Sequence, residues 1–144
     1  MKILITGFDP FGGERINPSW EVVKSLPDRI GGHQIIKLQI PTVFHESFGT
    51  LETAWERERP DVVLSVGQAG GRAVLSVERV AINIDDARIP DNRGNSPVDS
   101  PVVSGGPGGY LSNFPVKAMV QASVKAGVPA ALSYSAGTFV CNHM

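Results

Sequence analysis

Short apolar runs rich in β-branched residues alternate with segments of helical periodicity along this chain of 144 residues. The first run, residues 2–6, precedes a helix signal at Asn17 and Pro18, because asparagine can cap a helix and proline suits its first position. A second run covers residues 34–40. The third, residues 61–66, is continuously apolar, as in strands that are covered on both faces of a parallel sheet. Strands that alternate with helices predict an α/β fold with a mixed, largely parallel sheet.

Periodicity and composition define the remaining elements. Four apolar residues recur at the spacing of one helix stripe: Phe44, Phe48, Leu51 and Trp55. Residues 74–84 have strand composition over an unusual length. Residues 88–113 are loop-like, and a loop this long inside a compact domain is usually functional or disordered. A helix over residues 116–124 and a strand over 130–134 follow. Neither a domain boundary nor a repeat is visible, so residues 1–144 are predicted to form one domain.

Composition excludes several classes of partner. The net charge is −1 and no basic stripe is present, which argues against nucleic acid or an anionic membrane surface as the main partner. No apolar run approaches the roughly 18 residues of a membrane span, and the first residues are too few for a secretory signal core. One cysteine cannot form an internal disulfide, so we expect a cytoplasmic protein.

The glycine-rich segments and the histidines predict no cofactor. GFDPFGG (residues 7–13) has glycine where a P-loop has its phosphate-binding lysine, and GQAGG (residues 67–71) does not match the dinucleotide-binding pattern. The soft metal ligands show no ligand spacing: His33, His45, His143 and Cys141. We therefore expect neither a metal nor another cofactor.

Cys141 is a candidate nucleophile because of its position. It follows an apolar strand that breaks at Ser135-Ala136-Gly137 before a helix start, an arrangement that presents a nucleophile at the carboxyl edge of a sheet. The amino end of a helix favours the thiolate. The alternative is a small buried apolar residue, which describes most lone cysteines of cytosolic proteins.

Glu78 and Arg88 each allow two interpretations. Glu78 places a carboxylate on the apolar face of the predicted strand, which is costly unless the group is paired or hydrogen-bonded. Arg79 projects to the opposite face. Either the Glu78 face is solvated at a sheet edge, or this carboxylate orients a catalytic base. Arg88 is either a surface charge or a cation beside a functional loop.

Seven segments resemble motifs of the pyroglutamyl-peptidase I family, also called pyrrolidone-carboxylate peptidases. In chain order they are TGFDPFGG, NPSWE, IPTVF, VGQAGGR, ERVAIN, DARIPDN and SAGTFVCNH. The resemblance runs from Met1 to Met144 and implies a three-layer α/β/α sandwich. It also implies a cysteine peptidase that removes N-terminal pyroglutamate from peptides, needs no cofactor and assembles as a homo-oligomer.

The resemblance also implies a role for individual residues. Cys141 would be the nucleophile and Glu78 the carboxylate of the catalytic triad, and Arg88 would stabilise the oxyanion together with the backbone N–H of Cys141. Pocket walls would come from Phe8, Phe11, Thr42, Phe139 and Val140, and polar contacts to the lactam from Asn17 and Gln68. Apolar walls with a few amide side chains suit a compact neutral ring that has one N–H and one carbonyl. Proline would be rejected because it leaves the polar groups of the site unpaired.

The catalytic histidine of the family lies downstream of the cysteine, beyond residue 144. His143 is two residues from Cys141, whereas neighbours on a helix face are three or four residues apart. The resemblance gives His45 no catalytic role, and His33 is expected at the start of a strand on the surface. We therefore expect that residues 1–144 belong to a longer chain, incomplete here at its carboxyl end, and that they turn over little or no substrate alone.

Two other functions stay open. The chain could be a catalytically inactive module that binds pyroglutamate or serves assembly. It could also be another thiol amidohydrolase, with the same strand-to-helix turn at its nucleophile and a different acyl group.

Overall fold

A computed structural model describes residues 1–144, which fall into two compact units. Unit 1 contains Met1–Gln68, Ile89–Ser96 and Met144, and unit 2 contains Ala69–Arg88 and Pro97–His143. The elements of unit 1 are β1 (Lys2–Phe8), α1 (Pro18–Ser25), β2 (Arg29–Ile30), β3 (His33–Ile40), α2 (Glu46–Glu58) and β4 (Val62–Ser65). Those of unit 2 are β5 (Leu75–Glu78), β6 (Val80–Ile82), β7 (Gly109–Leu111), α3 (Val116–Lys125), β8 (Ala130–Ser133) and α4 (Val140–His143).

Unit 1 is a sheet with a helix on each face. The strand order is β2-β3-β1-β4, with β3 and β4 parallel to β1 and β2 antiparallel to β3. Successive side chains of a strand point to opposite faces. Leu4 of β1 packs with Leu51 of α2, whereas Ile5 packs with Val23 of α1. The two helices therefore cover opposite faces, which gives unit 1 three layers, α/β/α.

The start of α1 follows the sequence prediction. Asn17 is the N-cap, its side chain accepts from the Ser19 N–H at 3.0 Å, and Pro18 is the first helical residue. Gly7 of β1 lies against this turn. A Cβ at Gly7 would lie 2.8 Å from backbone atoms of Ser19 and Trp20, so the close approach of α1 to β1 requires glycine here.

The predicted apolar stripe of α2 is partly wrong. Phe44 precedes the helix, and the residues that α2 buries are Ser47, Leu51 and Ala54. Phe48 and Trp55 are 45% and 54% exposed. Small side chains at positions 47 and 54 let the helix pack closely on the sheet, and this turns the two large aromatic residues toward its flank.

Unit 2 contains two strand pairs. β5 and β8 are parallel, with Glu78 opposite Ser133, and β6 and β7 are antiparallel. Helix α3 packs on β8 and β5 and ends before Gly127, whose φ of 83° matches its predicted role in closing the helix. Parallel and antiparallel pairs that alternate with helices confirm the predicted α/β class, with mixed, largely parallel pairing.

The single strand predicted over residues 74–84 is wrong, because the chain changes partner at Arg79. The Arg79 N–H donates to the Ser133 carbonyl at 2.8 Å, on the β8 side. The Arg79 carbonyl accepts from the Ser112 N–H at 2.9 Å, just after β7. One long apolar segment therefore forms two short strands, β5 and β6, in different sheets. None of the helices has the length and apolar character required to cross a membrane.

Candidate active site

Cys141 is the second residue of α4, a single helical turn that follows β8 through residues 134–139. It is half-buried. The Asn142 and His143 N–H groups both donate to the Phe139 carbonyl, at 2.9 and 3.3 Å, and close the turn that carries the thiol. Gly137 has a φ of 82°, which lets the chain bend between strand and helix. The predicted passage from strand to helix before Cys141 is confirmed.

Glu78 is the last residue of β5 and has one engaged and one unengaged carboxylate oxygen. Its Oε1 accepts from Arg72 Nη1 at 2.9 Å, so its partner is not Arg79. Its Oε2 is buried and has no hydrogen-bond partner. A carboxylate oxygen that is fixed in place and lacks a donor can accept a hydrogen bond from a base or a ligand.

Arg72 connects Glu78 to the segment that leads to Cys141. Its Nη1 also donates to Ser133 Oγ at 3.1 Å, and its Nη2 donates to the Ser135 carbonyl at 2.9 Å. The planar guanidinium fork suits several acceptors at once. Sequence analysis missed this role, although Arg72 stands in the motif VGQAGGR. The signal in the sequence was Glu78, because a carboxylate on an apolar strand needs a cation or another hydrogen-bond donor nearby.

In unit 1, Asp9 links several of the predicted pocket residues. Its main-chain carbonyl accepts from Asn17 Nδ2 at 2.9 Å and from Thr42 Oγ1 at 3.1 Å. Its Oδ1 accepts from the Thr42 N–H at 2.6 Å and from Asn92 Nδ2 at 3.2 Å. Phe8, Asn17 and Thr42 are each 2% exposed. Asp9 therefore holds Asn17 and Thr42 together by hydrogen bonds, next to its chain neighbour Phe8.

Asp91 is a buried carboxylate of unit 1. Its side-chain oxygens accept hydrogen bonds from Arg93 and Asn95 nearby in the sequence and from the distant Phe44. Its Oδ2 accepts from the Phe44 N–H and from Asn95 Nδ2, both at 2.9 Å. Its Oδ1 accepts from the Arg93 N–H at 2.8 Å and the Asn95 N–H at 2.9 Å. Burial is the largest single influence and opposes ionisation. These hydrogen bonds together outweigh it and hold the pKa of Asp91 below its ordinary value.

Sequence analysis missed both Asp9 and Asp91. They stand in the motifs TGFDPFGG and DARIPDN, but a carboxylate in a loop is usually a solvated surface group. Their distant partners, Thr42 and Phe44, both follow β3. The pairing of the strands therefore had to be known before these contacts could be inferred.

The other candidate residues differ in exposure. Gln68 and Arg88 are exposed, Phe11 and Phe139 are half-buried, and Val140 is fully buried. The candidates of unit 1 are Phe8, Phe11, Asn17, Thr42 and Gln68, and those of unit 2 are Glu78, Arg88, Phe139, Val140 and Cys141. Asn17 also accepts from Ser19 Oγ at 2.8 Å through its side-chain oxygen.

Comparison with known proteins places these residues in a family. The profile of the pyroglutamyl peptidase family matches residues 1–144. The chain belongs to this family. A pyrrolidone-carboxylate peptidase of Treponema denticola is 60% identical over 145 residues, covering 100% of this chain and 66% of the relative. A pyrrolidone-carboxylate peptidase of Alkaliphilus oremlandii is 58% identical over 144 residues, covering 100% of this chain and 68% of the relative.

Solved structures give the same result. Pyroglutamyl peptidase I of Bacillus amyloliquefaciens matches with a TM-score of 0.96 at 53% identity, covering 99% of this chain and 69% of that chain. Pyrrolidone carboxyl peptidase of the hyperthermophile Pyrococcus furiosus matches with a TM-score of 0.95 at 44% identity, with the same coverage of 99% and 69%. The predicted family and fold class are confirmed. The chain spans about two thirds of the length of these relatives, all of which are named as peptidases.

Proposed function

We propose that the whole protein is a cysteine exopeptidase that removes pyroglutamate from the amino end of peptides. The observation that carries the proposal lies in unit 2. Glu78 and Ser133 end the parallel strands β5 and β8 at the same level, and β8 leads through the loop into the turn that carries Cys141. A carboxylate and a nucleophile segment thus leave the same end of one strand pair, where α/β enzymes place their catalytic groups. Membership of the pyroglutamyl peptidase family supports the same assignment.

The proposed reaction has two steps. The Cys141 thiolate attacks the pyroglutamyl carbonyl carbon, and the C–N bond to the next residue breaks as the leaving amine takes up a proton. This forms a thioester on Cys141. Water then attacks the thioester, which releases pyroglutamic acid and restores the thiol. In both steps, Arg88 and the backbone N–H of Cys141 would stabilise the oxyanion.

In this proposal Glu78 orients the base. Arg72 fixes its Oε1, while the buried Oε2 can accept the N–H of an imidazole. The family resemblance implies that a histidine supplies that imidazole. His143 does not supply it, because its Nδ1 lies 2.7 Å from Asp85 Oδ2 in a pair whose side chains are 4% and 3% exposed.

We propose the same pocket contacts that the resemblance implies. Phe8, Phe11, Thr42, Phe139 and Val140 would form the walls, and Asn17 and Gln68 would contact the lactam. Phe8 and Thr42 are each 2% exposed, so both side chains are fixed in place by packing. Gln68 is exposed, which leaves its amide accessible to a ligand, whereas Asn17 also fixes the loop through Ser19 and Asp9.

A second function applies to the 144-residue polypeptide by itself, namely binding of pyroglutamate without hydrolysis. The observation that favours it is the pairing of His143 with Asp85, which commits this imidazole to a buried contact. A binding module would keep the proposed pocket residues and lack the base.

Calorimetry and amine release together test these functions. We expect the polypeptide to bind pyroglutamate but not proline. We expect the full-length form to release amine from a pyroglutamyl conjugate but not from prolyl or glutaminyl conjugates. Binding without release by the full-length form would favour the binding module. Release from another conjugate would favour a different thiol amidohydrolase.

We also propose a cytoplasmic location and a homo-oligomeric state. The single cysteine supports a reducing compartment, and the oligomer rests on the family resemblance. Light scattering in solution gives the mass of the assembly, and a monomer at working concentration would contradict the oligomer.

A further inference from the structure

Helix α4, which carries Cys141, has a single turn, and a helix this short is not stable by itself. Its position must therefore be set by contacts to other parts of the chain. Asn142 and His143 are polar, yet only 3% and 6% exposed. Burying such groups is costly unless they are hydrogen-bonded, and neither residue belongs to the machinery proposed above.

Asn142 binds the end of β6 with three hydrogen bonds. Its Oδ1 accepts from the Ile82 N–H at 2.9 Å. Its Nδ2 donates to the Ile82 carbonyl at 2.8 Å and to the Ile84 carbonyl at 3.1 Å. One N–H donor and two carbonyl acceptors fix the orientation of this amide, and only a side chain with both functions satisfies all three. The side chain therefore joins α4 to β6 by hydrogen bonds to backbone N–H and C=O groups, the same groups that a neighbouring strand would pair with.

His143 binds the next residues of the same segment. Its Nδ1 lies 2.7 Å from Asp85 Oδ2, and both side chains are buried. Asp85 is itself fixed, because its N–H donates to the Ser100 carbonyl at 2.7 Å and its carbonyl accepts from the Ser100 N–H at 3.0 Å. Buried polar side chains are held in place by hydrogen-bond partners of this kind. Both polar residues of α4 are thus anchored to the segment that runs from Ile82 to Asp85.

We propose that Asn142, His143 and Asp85 are positioning residues that set the place of the Cys141 sulfur. Cys141 directly precedes Asn142, so a shift or tilt of this single turn moves Sγ with it. A misplacement of about 1 Å can lower the rate of a positioned reaction by roughly 100-fold. The inference rests on the proposed function in taking Cys141 as the nucleophile.

The test compares two alkylating reagents on the polypeptide. Pyroglutamyl chloromethyl ketone must be bound before Cys141 reacts, whereas iodoacetamide reacts with any accessible thiolate. In both reactions the thiolate displaces the halide and a C–S bond forms. At about pH 9, an ordinary thiol with a pKa near 8.5 is mostly ionised, so neither reaction needs a base. The readout is the rate of Cys141 labelling by pyroglutamyl chloromethyl ketone divided by the rate of labelling by iodoacetamide. Thermal unfolding is recorded for each variant.

The variants form matched pairs. His143→Leu removes the hydrogen-bond partner of Asp85 Oδ2, whereas His143→Asn keeps a polar nitrogen where Nδ1 stands. Asn142→Ala removes the link to β6, and Asn113→Ala changes an exposed asparagine of the same unit. We expect Asn142→Ala and His143→Leu to lower the ratio at least about tenfold. His143→Asn and Asn113→Ala should stay within about twofold of the wild type, because they leave the anchoring contacts in place.

A wild-type ratio in Asn142→Ala or His143→Leu would overturn the positioning role. If Asn142→Ala does not fold, the comparison of His143→Leu with His143→Asn decides, and equal ratios in these two variants would also overturn it. A wild-type protein with no preference for the pyroglutamyl reagent would contradict the proposed function as well. A preference that survives every substitution would contradict the positioning role alone.

Discussion

The loops of unit 1 around Asp9 and Asp91 and the Cys141 region of unit 2 are built in different ways. In unit 1, the Asp91 carboxylate is 6% exposed and accepts from backbone N–H groups and an amide on both of its oxygens. In unit 2, the side chains of Glu78 and Arg72 are 31% and 38% exposed, and one Glu78 oxygen has no donor. A saturated buried network fixes shape, whereas a partly satisfied carboxylate is available for chemistry. Substitutions in the first region should therefore lower stability, and substitutions in the second should lower reactivity.

The largest expected effect concerns turnover. Loss of one member of a catalytic triad lowers kcat by a factor on the order of 10⁴ to 10⁶. We expect the 144-residue polypeptide to release little or no fluorescent amine from a pyroglutamyl conjugate, because His143 is paired with the buried Asp85 carboxylate. Robust release that Cys141→Ala abolishes would show that a residue within this sequence acts as the base.

The largest effect on stability is expected in the saturated network. Asp91→Asn replaces a carboxylate that accepts four hydrogen bonds with an amide that turns N–H groups toward N–H donors. We expect the free energy of unfolding at neutral pH to fall by about 2–4 kcal/mol, measured by urea denaturation. Asp28→Asn is the matched control, since the Asp28 side chain is 89% exposed and its removal should change the urea midpoint little.

The pH dependence of this effect has a definite sign. Hydrogen bonds lower the pKa of folded Asp91 below the unfolded value of about 3.9. Its contribution to stability is therefore complete above the unfolded pKa and is lost as the pH falls through the folded pKa. The difference in stability between the wild type and Asp91→Asn should shrink on acidification. A difference that stays constant from neutral to acidic pH would contradict the assignment.

A smaller effect is expected where α1 crosses β1. Gly7→Ala puts a Cβ 2.8 Å from backbone atoms of Ser19 and Trp20, and overpacking of this kind costs about 1–3 kcal/mol. Gly49→Ala is the control, since Gly49 lies within α2 and a Cβ there meets nothing within 4 Å. We expect Gly49→Ala to raise stability by about 0.5–1 kcal/mol. Equal effects of the two substitutions on the urea midpoint would contradict the close approach of α1.

The smallest effect on stability is expected at Arg72. Its side chain is 38% exposed, and ion pairs in such positions contribute at most about 1 kcal/mol. Arg72→Gln should therefore move the urea midpoint little, while amine release by the full-length form falls because Glu78 loses the donor to its Oε1. A loss of stability as large as that of Asp91→Asn would remove the contrast between the two regions.

Sequence patterns predicted the features whose causes are local. Asn17 and Pro18 form a cap within one turn, and Gly137 precedes Cys141 by four residues, so their neighbours along the chain determine them. The alternation of strand and helix signals predicted the α/β class, and the motif resemblance identified the family. The strand break at Arg79 was missed because it depends on which strands lie on either side.

The remaining contacts join residues that are far apart in the sequence. Asp91 and the Phe44 N–H are 47 residues apart, Asp85 and His143 are 58 apart, and Arg72 and Ser133 are 61 apart. No local pattern specifies such pairs, because they depend on the register of the sheets and on how the loops close. The same is true of Phe48 and Trp55, whose exposure depends on which face of α2 packs on the sheet.

The most direct test of Cys141 as the nucleophile of a pyroglutamate site is covalent labelling with pyroglutamyl chloromethyl ketone, mapped by peptide mass spectrometry. We predict one label per chain, located on Cys141, that forms faster than with the prolyl reagent and is slowed by free pyroglutamate. Cys141→Ala should take up no label. Equal rates with the pyroglutamyl and prolyl reagents, or labelling that pyroglutamate does not slow, would contradict the proposed site.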